Sequence, residues 1–220
     1  MNKKVLFSLV AIPVCTVLVA PAANATPNTG ATAVRKVSVF APWASLTVPK
    51  AGIKNLKIVR YRGTPDDGPG TVIQNKGIVS APYGSWGGVL PGQVGNFFLA
   101  AHRTSAGGPM RRVPGLKKGD KIYVRFNNKT IVYTVAYRLT VNFRSNASKL
   151  KQLTPVPGFP SLTPVAPAIV LSTCATPEDD AAGLHWRDKY DNPTHRFNVV
   201  AFADPPPLPP IGNPTLDTPQ

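Results

Sequence analysis

From Leu46 onward the chain is a succession of short apolar runs separated by clusters of glycine, proline and polar residues. In the run 121–126, Ile122, Val124 and Phe126 alternate with Tyr123 and Arg125; in the run 130–141, Tyr133, Val135, Tyr137, Leu139 and Val141 alternate with Thr134, Arg138 and Thr140. A period of two belongs to strands with one buried face. Between the runs, Asn127-Asn128 supplies a two-residue turn suited to left-handed backbone angles, so the pair predicts a β-hairpin. Leu116-Lys117-Lys118-Gly119-Asp120, just ahead, reads as a tight turn. Other apolar runs predict strands over 46–49, 56–61, 96–101, 168–173 and 196–202.

One helix start is marked. Thr176-Pro177-Glu178-Asp179 puts a hydroxyl at the N-cap, proline at the first helical position and acids in the first turn, with Gly183 as the stop. Long helices are excluded by composition, with 25 Pro and 18 Gly in 220 residues. No internal repeat is present. The pattern therefore predicts one strand-and-turn domain over 46–204.

The ends differ in texture. Lys3 and Lys4, the apolar stretch from Val5 to Val19 and the small-x-small sequence Ala23-Asn24-Ala25 form a secretory signal over 1–25, cleaved after Ala25. Retained, the same stretch would be an anchor, although Pro13 and Pro21 count against a span. Either way the domain is expected outside the cytoplasm, at the outer face of a bacterial cell. Residues 26–45 read as a flexible spacer, and 205–220 as a proline-rich disordered tail.

Charge adds a location rather than a chemistry. There are 25 Lys and Arg against 10 Asp and Glu, a formal net charge of +15. Outside the cytoplasm the available polyanions are wall polymers and lipid headgroups, so nucleic acid is excluded as a partner and surface attraction is expected.

Cysteine usage changes the picture most. Cys15 lies in the leader, which leaves Cys174 as the single thiol of the mature domain. A lone thiol in an oxidising compartment forms no internal disulfide; it is buried, paired with another chain, or used. Cys174 ends the apolar run Pro167-Ala168-Ile169-Val170-Leu171-Ser172-Thr173 just before the predicted helix, whose positive end modestly favours a thiolate. His102 likewise ends an apolar run, and Arg196 opens the last one. A thiol, an imidazole and a permanently charged donor, each at a strand end, are the minimum set for acyl transfer. His185 and His195 are the other histidines, and Arg187, in a polar stretch, is the alternative to Arg196.

These residues resemble the sortase family. Leu171-Ser172-Thr173-Cys174 is similar to its Thr-x-Thr-Cys or Leu-x-Thr-Cys strand end. Leu90-Pro91-Gly92, Gly95-Asn96, Ala101-His102-Arg103-Thr104 and Leu116–Ile122 resemble its upstream segments, in family order. The His-Arg-Thr triplet and Thr173-Cys174-Ala175-Thr176-Pro177-Glu178-Asp179 look most like actinobacterial class E members. Ala101 stands where glycine is common, the interval from Cys174 to Arg196 is long, and Tyr83–Gly88 does not match. The resemblance implies an all-β fold, a closed, mostly antiparallel barrel of about eight strands with one or two short helices. It implies a cysteine transpeptidase in which Cys174 attacks the Thr–Gly bond of a Leu-Pro-x-Thr-Gly or Leu-Ala-x-Thr-Gly sorting signal. Arg196 would steady the oxyanion, His102 would move the proton, and Thr173 would help place the substrate. The implied partners are surface proteins bearing that signal and an amine acceptor, from peptidoglycan or a pilin lysine. A monomer without cofactor or metal is expected. Papain-type peptidases place Cys before His, and an L,D-transpeptidase would show His-Gly-Cys. A non-catalytic basic wall-binding module would leave the thiol and its strand-end partners unexplained.

Overall fold

The computed structural model describes residues 43–65, 67–84 and 88–204. The leader, the tail and nearly all of the spacer lie outside the described residues, as do Ser85, Trp86 and Gly87 within the unmatched stretch. Eight strands form a closed barrel: β1 (Ala44–Val48), β2 (Ile53–Arg62), β3 (Val79–Tyr83), β4 (Gly95–Ala100), β5 (Lys121–Phe126), β6 (Lys129–Asn142), β7 (Pro167–Cys174) and β8 (His195–Ala203). Their order around the barrel is β1-β2-β3-β4-β7-β8-β6-β5. Only β2/β3 and β4/β7 pair in parallel, so the closed, mostly antiparallel barrel expected from the sequence is the fold observed.

The hairpin forms as its turn requires. Asn127 and Asn128 take φ of 47° and 59°, and β5 and β6 pair from Phe126↔Lys129 to Lys121↔Thr134. Gly119, at φ 94°, makes the turn ahead of it, and the Asp120 side chain accepts from the Lys117 amide at 2.8 Å.

Three differences from the sequence reading have physical causes. The first strand begins at Ala44, inside the expected spacer, because Trp43 donates its amide to Ile58 and Ala44 is buried against the core. β3 was not predicted: Val79-Ser80-Ala81-Pro82 is buried without alternation and carries a proline. Three α-helices appear among the described residues rather than one or two: α1 (Gly68–Gln74), α2 (Asn146–Lys151) and α3 (Thr176–Ala181). Gly68-Pro69-Gly70 looks like a turn, yet Asp67 caps α1 by accepting from the Gly70 amide at 2.8 Å. α3 starts at Thr176 as expected, but its N-cap is Ala175 and the Thr176 hydroxyl makes no capping bond.

Two apolar clusters sit on the two faces of the sheet. Leu46, Ile58, Phe97, Leu99, Tyr133, Ile169, Leu171 and Val199 fill the barrel. Phe98, Ala100, Val170 and Val200 form an outer cluster, covered by Tyr137, Leu139, Leu153 and Phe202. Strands β4, β7 and β8 are thus buried on both faces, which is why they read as continuous apolar runs while β5 and β6 alternate. Burial pushes the Tyr133 phenol up to about 12, and its oxygen accepts from the Gly92 amide at 2.8 Å.

Candidate active site

The register of the doubly buried strands brings three sequence-predicted residues to one end of the barrel. Cys174 and Arg196 are direct antiparallel partners on β7 and β8. On the other side of β7, Ala100 of β4 pairs with Ser172, the Ala101 amide donates to the Ser172 carbonyl at 3.3 Å, and His102 follows. Strand alternation also sets the face. Leu171, Leu99 and Val199 point into the barrel, whereas Cys174, His102 and Arg196 share the phase of the outer residues Val170, Ala100 and Val200. The nucleophile candidate and both partners therefore lie on one outer face, at the margin of the outer cluster. Thr173 has the opposite phase: it is fully buried, and its hydroxyl donates to the Ala101 carbonyl at 2.9 Å.

Each of the three is held in a distinct environment. Cys174 is buried at 8% exposure, and Arg196, at 1%, is among the most buried side chains of the protein. Arg196 donates from Nη2 to Asn192 Oδ1 at 2.5 Å, and its guanidinium lies 4.9 Å from the Phe143 ring centroid. His102 is half-buried, with Nε2 2.7 Å from Oδ1 of Asn75, the residue that closes α1. An Asn oxygen only accepts, so this contact puts the proton on Nε2. Burial holds the imidazole below its ordinary pKa, the Arg196 charge lowers it further, and Asp191 opposes them. Arg196 thus acts electrostatically on the imidazole as well as facing Cys174.

The remaining candidates lie elsewhere. Arg187 forms an isolated bridge with Pro193 and pairs with Asp180, along with the Leu184 and Trp186 carbonyls. His185 is exposed beside the same carboxylate at 3.5 Å. His195 opens β8 and pairs with Asp179 at 2.7 Å. So Arg196, not Arg187, occupies the position opposite Cys174.

A cavity of about 760 Å³ shares Phe143 with the surroundings of Arg196, but Cys174, His102 and Arg196 do not line it. Its wall includes Phe143, which also faces Arg196, together with Leu150 and Leu153 around α2 and Asp188, Lys189 and Tyr190 ahead of Asn192. α2 is fixed to the outer face by Gln152, which accepts from Asn96 through its carbonyl at 2.8 Å and from Asn198 through Oε1 at 2.9 Å. The wall of this cavity is apolar over much of its extent, with Lys149, Asp188 and Lys189 at its polar part.

Sequence reading missed Asn75 and Phe143 because each sits at a helix end or in a loop far along the chain from what it touches, and Asn192 because a loop residue four positions before Arg196 carries no pattern of its own. Arg103 was seen only as part of the His-Arg-Thr triplet. In the structure it bonds the Cys174 carbonyl at 3.3 Å and Glu178 at 2.7 and 2.8 Å.

Comparison with known proteins bears on this arrangement. A sortase domain is matched across residues 46–189, a span that contains His102 and Cys174. The chain belongs to the sortase family. Sortase SrtE1 of Streptomyces coelicolor is 41% identical over 86 residues, which is 39% of this chain and 23% of that protein, so the match spans less than a quarter of its length. Among solved structures, the SrtA sortase from Actinomyces oris has a TM-score of 0.56 at 24% identity, over 77% of this chain and 83% of that one. Sortase E1 from Streptomyces coelicolor, solved with a tripeptide in the active site, has a TM-score of 0.53 at 24% identity, over 74% and 88% of the two chains. Sortase E from Streptomyces avermitilis has a TM-score of 0.54 at 20% identity, over 76% and 91%. At these identities the structural likeness establishes the shared barrel, and the sequence relative adds the likeness to class E.

Proposed function

We propose that this sortase is a cell-surface cysteine transpeptidase in which Cys174, His102 and Arg196 are the reacting set. The observation that carries the reading is the direct register pairing of Cys174 with a buried arginine, on the same outer face as a half-buried histidine. The Cys174 thiolate attacks the carbonyl carbon of the Thr–Gly bond in a Leu-Pro-x-Thr-Gly or Leu-Ala-x-Thr-Gly signal. Arg196 donates to the carbonyl oxygen as it becomes anionic. The His102 imidazolium gives its proton to the departing glycine amine, leaving a thioester and a neutral imidazole. An incoming amine, from peptidoglycan or a pilin lysine, attacks the thioester; His102 takes its proton and Cys174 leaves as thiolate. Water in place of the amine gives hydrolysis. Thr173 contributes to substrate placement indirectly, because its hydroxyl joins the His102 segment to β7.

The protonation states follow from the environment of His102. With ordinary values, near 8.5 for a thiol and 6.5 for an imidazole, the thiolate–imidazolium form is about one part in a hundred of the neutral pair. The lowered His102 pKa reduces that share further. Activity therefore comes from a minority form, with a bell-shaped rate profile whose acid limb lies below the ordinary imidazole value. The limbs belong to the coupled pair rather than to either residue.

Incubating the full chain with paired Pro- and Ala-containing sorting peptides and an amine acceptor tests the reading. Transfer of the threonyl fragment to the amine is expected, with one motif favoured. Cleavage of neither peptide would remove the proposed substrate class.

A further inference from the structure

Two consecutive acids in the first turn of α3 are tied in different directions. Glu178 receives both arms of the Arg103 guanidinium, Oε1 from Nη2 at 2.7 Å and Oε2 from Nη1 at 2.8 Å. The same Nη1 reaches the carbonyl oxygen of Cys174 at 3.3 Å. Asp179, only 3% exposed, accepts from the His195 amide at 2.7 Å and lies 2.7 Å from His195 Nδ1. Arg103 is the neighbour of His102 in the chain, and His195 is the neighbour of Arg196. The short helix after the nucleophile is therefore bonded to the residue beside each of the nucleophile's two partners.

We propose that Glu178 and Asp179 are positioning residues, which make α3 a two-armed brace setting the separations of His102 and Arg196 from Cys174. The inference rests on those three being the reacting set. Local physics leaves α3 dependent on tertiary bonds, of which these two reach the neighbours of His102 and Arg196 while Asp180 pairs with Arg187 in the loop beyond. The helix has six residues, too few to be stable alone, and its N-cap, Ala175, offers no side-chain acceptor. The other tie between this segment and β8 is the Ala175 amide donating to the His195 carbonyl at 2.9 Å.

The Arg103 arm is suited to fixing geometry. Its side chain is 12% exposed, its fork engages both carboxylate oxygens, and its guanidinium lies 5.7 Å from the Phe197 ring centroid. Phe197 is the register partner of Thr173. A planar fork in such a site holds distance and angle together, which an ammonium cannot do. The Asp179 arm grips both the backbone and the ring of His195, so it fixes where β8 begins, and hence where Arg196 meets Cys174.

A double-mutant cycle on the full chain tests the brace, using Arg103→Gln, Glu178→Gln and their combination, with Arg103→Lys and Asp179→Asn alongside. The readouts are kcat and KM on the sorting peptide and the thermal midpoint. Misplacement of reacting groups by a fraction of an ångström to an ångström predicts a fall in kcat of about 10- to 100-fold with KM within about 2-fold. The combined variant should be no slower than either single one, since both remove the same tie. Arg103→Lys, which keeps the charge and loses the fork, should recover only a small part of the loss. Wild-type kcat in Arg103→Gln and Glu178→Gln, or additive losses in the combination, would overturn the brace. So would a loss confined to the thermal midpoint. Cys174→Ala in the same assay separates the two levels. Turnover in that variant would remove the reacting set itself, whereas an inactive Cys174→Ala beside unimpaired brace variants would remove only the brace.

Discussion

The β5–β6 hairpin and the β4–β7–β8 seam are built from the same kind of pairing but do different work. The hairpin alternates through β5 and the first half of β6, where Tyr133 and Val135 face the barrel. A register shift between Val135 and Tyr137 then turns Tyr137 and Leu139 to the outer cluster. The hairpin carries none of the proposed chemistry. The seam is buried on both faces, and its strand ends present Cys174, His102 and Arg196. A slip by one residue in these strands would turn the proposed reacting groups inward, so the site depends on their register. In this fold, precision at the site comes from the most buried strands, while the loops that cover them supply partners such as Asn75, Phe143 and Asn192.

That contrast can be broken at its strongest point first. Cys174→Ala is expected to abolish cleavage and transfer while the thermal midpoint stays close to wild type, since no neighbour replaces a covalent step. Measurable turnover above background would contradict this. Next, Arg196→Ala should lower the rate by about 10²- to 10³-fold, as for other lost oxyanion donors. Arg187→Ala, which removes a loop ion pair and two bonds to loop carbonyls, should cost far less. The reverse order would reassign the arginine.

Asn75 offers a finer test, because it touches the imidazole without belonging to the seam. Asn75→Ala removes the acceptor that holds Nε2–H, so kcat should fall by about 10-fold, within the range for a displaced acid–base group. An unchanged kcat and pH profile would show that the contact does not orient His102. The smallest expected effects concern stability. Val170 is fully buried in the outer cluster, so Val170→Ala should cost about 2 kcal/mol by denaturant unfolding. Leu150 is 45% exposed, and Leu150→Ala should change stability by less than about 0.5 kcal/mol. Equal losses at the two positions would mean that α2 belongs to the core.

The pattern of legibility follows the same division. The hairpin and its Asn127-Asn128 turn were readable because alternation and turn chemistry are local. Cys174, His102 and Arg196 were readable as strand ends because the runs leading to them are continuous. β3 was not, since Ser80, Ala81 and Pro82 carry no period and its strand pairing is supplied by β2 and β4. α1 was hidden by two glycines and a proline in its first turn, and its formation depends on the Asp67 cap. Glu178 and Asp179 were visible as first-turn acids and as part of the class E-like segment, but not as ties, because their partners, Arg103 and His195, come close only once the barrel has closed.

Acyl-enzyme trapping reaches the central claim most directly. The full chain would be mixed with sorting peptide in the absence of an amine acceptor, quenched in acid within seconds, and analysed by intact-mass and peptide-mapping mass spectrometry. The account predicts an adduct equal to the threonyl fragment, attached as a hydroxylamine-labile thioester to Cys174. It should be absent in Cys174→Ala and should form much more slowly in Arg196→Ala. Cleavage of the peptide at a wild-type rate with no adduct on Cys174, or with the adduct on another residue, would contradict it.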